Sequence, residues 1–282
     1  MPLVSMLASL RKAQEGGHAV PCFCVFEAVS ADGMVAAAEE QRLPLVAAFY
    51  DYFIDKPDAR PFAAYLRARA AEAAAPVSLT LDHGASFEMC IRALRLGLTD
   101  VMFDGSRLPL DENIARTREV VRAAHAAGAG CEGEIGIVGA GSSYAEFGAL
   151  GKGFIDPAEV ERFAAETGVD CVAVAVGSAH GEYNAPPRLD LERLAEIRRR
   201  VSVPLALHGG SGLPEDQFRS AIAGGIAKVN VFTDLGLTCA RRVAERAARG
   251  KLSYFDVTRE IRESFRERCG YYMQLFGASG KA

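Results

Sequence analysis

Three of the five histidines in the 282-residue chain, His83, His180 and His208, close short apolar runs: SLTLDHG, VAVAVGSAH and VPLALHG. Imidazoles delivered from separate rigid segments suit a zinc-like divalent ion held by three protein ligands, with one position open for substrate. A lone histidine is more often a hydrogen-bonded core or surface residue, whereas three at equivalent positions point to one shared ion. Asp82 directly precedes His83. Adjacent residues on an extended strand point to opposite sides, so one can face a metal and the other a substrate. A carboxylate beside a metal-polarised carbonyl compound is placed to move a hydroxyl proton. The competing role for Asp82 is a cap for the helix that starts near Ser86. His18 stands before a strand and His125 late in a helix, and neither is given a role.

The elements that must carry these groups recur along the chain. Eight apolar runs, at 19–25, 43–50, 76–82, 98–104, 130–136, 170–177, 203–209 and 226–232, alternate with helical patterns that open on Ser or Asp and close on Gly. That alternation is the sign of parallel strands buried on both faces. Eight strand–helix units imply an α/β fold of the (β/α)8 TIM-barrel type, a single domain with a C-terminal helical extension. A doubly wound sheet is the alternative, but no GxGxxG fingerprint follows the first strand. Barrel chemistry sits at the C-terminal ends of strands, where the sequence places Glu27, Asp82, His83, Asp104, Glu132, Glu134, His180, His208 and Asn230. The glycine-rich stretch 136–154 reads as a long mobile loop over the site, and the stretch from Thr233 to Arg268 as an amphipathic helical pair.

Glycine-rich turns add a second kind of site. In VGSAHGEY, HGGSG and KVNVFTD, exposed amides together with the Ser211 and Thr233 hydroxyls can cradle a phosphate after the last two strands, although any tight strand-to-helix turn also uses glycine.

Bulk properties exclude several classes. A formal net charge of −4, with acids matching bases along the chain, gives no nucleic-acid footprint. No apolar stretch reaches the ~20 residues that span a bilayer. The opening MPLVSMLASLRKAQEGG carries its charges after the apolar part, unlike a secretory signal. Seven cysteines with no CxxC pair fit reduced thiols and a cytoplasmic enzyme.

Taken together, LDHG, VMFDGS, EGEIGIVG, VDCVAVAVGSAHGEY, LALHGGSGLP and AKVNVFTD resemble the class II, zinc-dependent ketose-bisphosphate aldolases, the group that includes fructose- and tagatose-bisphosphate aldolases. The similarity runs in order from Ala19 to Asp234. It implies His83, His180 and His208 as ligands of one Zn2+ per subunit and Asp82 as the catalytic acid–base. It implies Gly181, Gly209, Ser211, Asn230 and Thr233 as residues holding the phosphate or three-carbon body of the ketose, and Asp104 and Glu134 as outer or alternative metal groups. A monovalent cation near the phosphate, cleavage of a phosphorylated ketose to dihydroxyacetone phosphate and an aldehyde, and a homodimer or homotetramer also follow from the resemblance.

The chain departs from the family in three places. The usual Gly-Gly-x-Glu-Asp loop reads Gly139, Ala140, Gly141, Ser142, Ser143, which leaves Tyr144 or Glu146 as substitutes for the loop acid. The usual AFNxxN becomes Cys22 to Glu27, and Gln-x-Ser becomes Ala48, Phe49, Tyr50. Bulkier or apolar groups thus replace polar ones around the sugar. These departures motivate a different zinc-dependent carbon–carbon lyase as one alternative, with a non-catalytic barrel subunit as another. On the tail, YYMQLF (271–276) can pack on a neighbour or on the barrel's own helices, and Lys281 can reach a second phosphate across an interface.

Overall fold

The computed structural model describes residues 3–278 and 280. Eight parallel strands close into a barrel in the order β1-β10-β9-β7-β5-β4-β3-β2. They are β1 (Val20–Val25), β2 (Leu45–Tyr50), β3 (Val77–Gly84), β4 (Asp100–Phe103), β5 (Gly130–Ile135), β7 (Cys171–Val174), β9 (Leu205–Leu207) and β10 (Ile226–Val231). Each lies within one of the eight apolar runs or overlaps its end, as continuous burial on both faces of a parallel strand requires. Two short strands, β6 (Gly139–Ala140) and β8 (Ala179–His180), pair with each other above the barrel.

Helix α1 (Leu7–Gly16) precedes the first strand and packs Met6, Leu10 and Ala13 among inward residues such as Cys22, Cys171 and Ala227. It is tied to the start of β4 where the buried Asp100 accepts from Ser5 Oγ at 2.6 Å and Met6 N at 3.0 Å. One end of the barrel is therefore plugged, and the C-terminal end is left for chemistry.

Outside the strands run α2 (Ala28–Gln41), α3 (Ala59–Glu72), α4 (Phe87–Arg95), α5 (Leu110–Ala126), α6 (Pro157–Thr167), α7 (Leu191–Arg200) and α8 (Glu215–Ala223). The amphipathic pair is α9 (Thr233–Ala248) and α10 (Tyr254–Leu275). Helix α10 lies against α2 so closely that a Cβ on Gly33 would meet the Arg262 carbonyl at 2.4 Å. Its end, including Tyr272, Met273, Leu275 and Phe276, is buried against Phe23 and Phe218 of the same chain. The apolar tail is thus used internally, and Lys281 lies outside the described residues.

The segment 136–154 is not the open loop its glycines suggest. It forms β6 and two 3-10 turns around Tyr144, which is 1% exposed. The Tyr144 hydroxyl accepts from Arg188 N at 2.8 Å, its ring meets Tyr183 edge-on at 4.9 Å, and Asn184 holds Ser142 O and Ala145 N at 2.9 Å. One buried ring and one amide side chain satisfy backbone groups that would otherwise face water. Among the described residues no helix is long and apolar enough to cross a membrane, and all seven cysteines are buried and unpaired.

Candidate metal and aldol centre

The C-terminal mouth of the barrel opens on a cavity of about 580 Å3. His83, His180, Asp82, Asp104, Glu134, Gly181, Gly209, Ser211, Asn230 and Thr233 all line it, while His208 is wholly buried at its floor. The ring centroids of His83 lie 4.9 Å from His180 and 4.8 Å from His208. One nitrogen from each of the three comes within 4.8 Å of the others.

Local backbone geometry produces this convergence. His83 adopts φ +54°, a left-handed conformation uncommon for a non-glycine residue, beside a register shift between Leu81 and Gly84 on the β3–β4 edge. The kink cancels the strict alternation expected of neighbours, so Asp82 and His83 both face the cavity. His180 sits on β8 rather than on a barrel strand. The Tyr183 hydroxyl clamps that strand by accepting from Ala179 N at 2.9 Å and donating to Gly209 O at 2.8 Å. Gly209 is obligatory there, with φ +68° and only 2.4 Å between a built Cβ and Ala179 O.

Outer hydrogen bonds choose which nitrogen each ring presents. His83 Nδ1 contacts Asp104 Oδ2 at 2.9 Å, leaving Nε2 inward. His208 does the reverse, with Nε2 on Glu132 at 2.8 Å and Nδ1 inward. The two inward nitrogens, His83 Nε2 and His208 Nδ1, face each other at 3.1 Å, and Asn230 Nδ2 lies 3.4 Å from the latter. Two imidazole nitrogens on one tetrahedral zinc, with bonds of ~2.0–2.1 Å, stand about 3.3 Å apart, so the rings are already near a ligating spacing. Glu134 Oε2, buried and without a hydrogen-bond partner, lies 3.6 Å from His83 Nδ1 and completes a second possible set, His83, Asp104 and Glu134.

The electrostatics also ask for a cation. Burial alone would lower His83, but Asp82, Asp104 and Glu134 outweigh it and push the imidazole up to about 10. Burial, then the charges of Asp104 and Glu132, raise Glu134 to about 8. His180 moves the other way, lowered by desolvation and by His83 and His208. A pocket that holds an extra proton among its carboxylates has the charge balance that a divalent ion would satisfy.

Asp82 is buried, yet its carboxyl is held below the ordinary range, because His83, His208 and Lys228 outweigh the desolvation. Asn230 Nδ2 donates to Oδ1 at 3.1 Å, and Cys24 Sγ donates to Oδ2 at 3.4 Å. It is an ionised carboxylate fixed in orientation rather than a helix cap, and the cap of α4 is Ser86.

Several strand-end residues have other duties. Glu27 caps α2, accepting from Val29 N at 2.6 Å and Ser30 N at 2.7 Å. Neither Tyr144 nor Glu146 lines the cavity: Tyr144 is enclosed, and Glu146 is exposed beside Asn184. The expectation that one of them replaces the loop acid is therefore not met in this arrangement. Glu132, expected only as one of the strand-end acids, forms a buried pair beneath His208 with Lys228, which the sequence did not single out, Nζ lying 2.8 Å from Oε2. The signal was present as polar residues at period two inside apolar strands, Glu132 with Glu134 and Lys228 with Asn230. Phe26, Asp51, Phe53, Ser106 and Arg107 also line the cavity.

Residues 4–281 match the family described as fructose-bisphosphate aldolase class-II. A probable fructose-bisphosphate aldolase of Bacillus subtilis (strain 168) is 35% identical over 291 residues, covering 100% of both chains. A 6-phospho-5-dehydro-2-deoxy-D-gluconate aldolase of Shouchella clausii is 40% identical over 238 residues, covering 83% of this chain and 80% of the other. The crystal structure of the YdjI aldolase from Escherichia coli K12 superposes with a TM-score of 0.90 at 32% identity, over 99% of each chain. The chain belongs to the class II fructose-bisphosphate aldolase family, zinc-dependent aldehyde-lyases whose members differ in substrate.

Proposed function

We propose that the protein cleaves a phosphorylated ketose reversibly to dihydroxyacetone phosphate and an aldehyde, with one Zn2+ held by His83, His180 and His208. The observation that carries this reading is the meeting of three imidazoles with an ionised, doubly hydrogen-bonded Asp82 in one cavity. The metal would supply Lewis-acid polarisation of the ketose carbonyl. With the ion bound, Asp104 and Glu132 would accept from the outer nitrogens of His83 and His208 and so leave His83 Nε2 and His208 Nδ1 to face the metal.

Ser211, Gly209, Gly181 and Thr233 present hydroxyls and turn amides to the phosphate. Thr233 opens α9, whose N-terminal end favours an anion, and Asp234 N in that first turn donates to Ser211 Oγ at 3.1 Å and so orients the hydroxyl. Asp82 takes the proton from the C4 hydroxyl as the C3–C4 bond breaks. The C4 oxygen becomes the aldehyde carbonyl, and the bonding pair passes into the three-carbon fragment, which takes up a proton from solvent water at C3 and leaves as dihydroxyacetone phosphate. Condensation runs the same transfers backwards, with Asp82 returning its proton. Asn230 and Cys24 keep the carboxylate turned into the cavity throughout.

Enzyme-coupled detection of dihydroxyacetone phosphate, run beside zinc analysis of the purified protein, tests this. Asp82→Asn should cut kcat by about 100- to 10,000-fold and leave zinc content unchanged, whereas His208→Ala should lose both. Full activity in either variant would remove the assignment.

A further inference from the structure

The cavity is chemically uneven. The phosphate turns, Asp82 and the histidines carry polar groups, but the rim beyond Asp82 toward β2 is built from Phe26, Tyr50, Phe53 and Asp51. Phe26 is the hub of this wall, with ring centroids 4.2 Å from Phe232, 5.2 Å from Phe53 and 6.3 Å from Tyr50. The β2–β3 register sets Tyr50 directly opposite Asp82, and Asp51 is the next residue. On the other flank of Asp82 the polar groups of the wall are already engaged, His83 with Asp104, and Asp104 accepting from Ser106 N at 3.1 Å and Ser106 Oγ at 2.6 Å. A ketose with its phosphate on the Ser211 and Thr233 turns and its C4 hydroxyl at Asp82 therefore directs its remaining carbons onto the β2 rim.

We propose that Asp51 sets the substrate class: the aldehyde half carries hydroxyls, which donate to this carboxylate, and no second phosphate or carboxylate. This rests on the aldolase reading above and narrows it. Asp51 Oδ1 accepts from Tyr52 N at 2.7 Å, and no lysine, arginine or histidine pairs with the group among the described residues. Asp82 and Asp104 reinforce its negative field, and the desolvation that raises its carboxyl reflects a position inside the cavity wall rather than free in solvent. The one guanidinium on the wall, Arg107, is exposed on the turn after β4. Three carboxylates, Asp51, Asp82 and Asp104, already offset Arg107 and a divalent ion before the substrate brings its first phosphate. A second anion on the β2 rim would meet a like charge at close range, and among the described residues no lysine or arginine is ion-paired to Asp51; Arg107, which lines the same cavity, stands on the turn after β4 rather than on that rim, so the juxtaposition weakens binding. A hydroxyl-bearing chain instead finds an acceptor, with Phe53 and Tyr50 against its carbon face.

The test uses the zinc-loaded full chain and two unreactive alcohols, glucitol 1-phosphate and glucitol 1,6-bisphosphate, with affinities read by titration calorimetry. The wild-type protein should bind the monophosphate more tightly. Asp51→Asn, which keeps the oxygen that accepts from Tyr52 N, should raise the ratio of bisphosphate to monophosphate affinity by about tenfold or more, and high salt should narrow the wild-type preference. Equal or tighter binding of the bisphosphate by wild type, an unchanged ratio in the variant, or no binding of either alcohol would each overturn the role of Asp51. Turnover is read separately. Charge discrimination between the alcohols without release of dihydroxyacetone phosphate from any ketose 1-phosphate upholds Asp51 and removes the aldolase reading.

Discussion

Two ion-pair systems of similar geometry occupy different layers of this barrel. Inside, Lys228 Nζ lies 2.8 Å from Glu132, both side chains 1% exposed, and Glu132 contacts His208 Nε2 at 2.8 Å. Outside, Asp32 of α2 receives Arg69 of α3 at 2.8 Å and Arg262 of α10 at 2.6 Å, with the arginine side chains 19% and 39% exposed. The distances are alike, but the surroundings are not. Within the barrel, burial pushes Glu132 up, yet Lys228 and His208 outweigh it and lower the carboxyl to about 2. Lys228 stays above the ordinary lysine value despite its burial, because Cys22 and Glu132 face it. Each inner charge is tolerated only because the other is present, whereas water screens the outer pairs whatever their geometry. The first system thus lies against His208 at the floor of the candidate metal centre, and the second is a tie between helices.

The largest effect should come from halving the inner pair. Lys228→Met leaves Glu132 as a buried carboxylate with one partner fewer, and the expected loss of folding stability is about 3–5 kcal/mol, measured by urea unfolding. A loss comparable to that of a surface pair would mean that water reaches Glu132 and that the two systems do not differ in kind.

Removing both inner charges separates stability from metal binding. In Lys228→Met/Glu132→Leu no charge is stranded, so most of the stability should return. His208 nevertheless loses the acceptor that fixes its tautomer, and zinc affinity should fall by about 10- to 100-fold, read by competition with a chromophoric chelator. Unaltered affinity would detach the orientation of His208 from the pair beneath it.

The same contrast explains what the amino-acid sequence discloses and what it hides. The eight strands are legible because parallel strands buried on both faces are continuously apolar, as in DCVAVAVG and VPLALHG. His83, His180 and His208 are legible because polar residues ending such runs stand out. The inner pair is harder to see: Lys228 and Glu132 sit within strands, and only pairing across the barrel reveals that each neutralises the other. Segment 136–154 misleads for a different reason. Its glycines suggest freedom, but its order comes from Tyr183, Asn184 and Arg188, about 40 residues later, which hold Tyr144, Ser142 and Ala145. Asp51 and Phe53 escape notice because they lie in a 3-10 turn after β2, where no periodicity tells which way a side chain points.

The smallest effect belongs to the outer system, and pH tests whether that effect is one of charge. Arg262→Met removes the contact of α10 with Asp32 and should lower stability by only about 0.2–1 kcal/mol. Burial pushes the Asp32 carboxyl up, but Arg69 and Arg262 outweigh it and hold the group below its usual value. A depressed folded-state pKa contributes stability above the unfolded-state value of about 3.9, and that contribution is lost as the pH falls through the folded value. The difference between wild type and Arg262→Met should therefore stay constant from neutral pH down to about 5, shrink below about 4 as Asp32 takes up a proton, and narrow in 1 M salt. A difference that persists in acid would show that Arg262 acts through its aliphatic stem against α2, close to the contact where Gly33 meets the Arg262 carbonyl, and not through its charge.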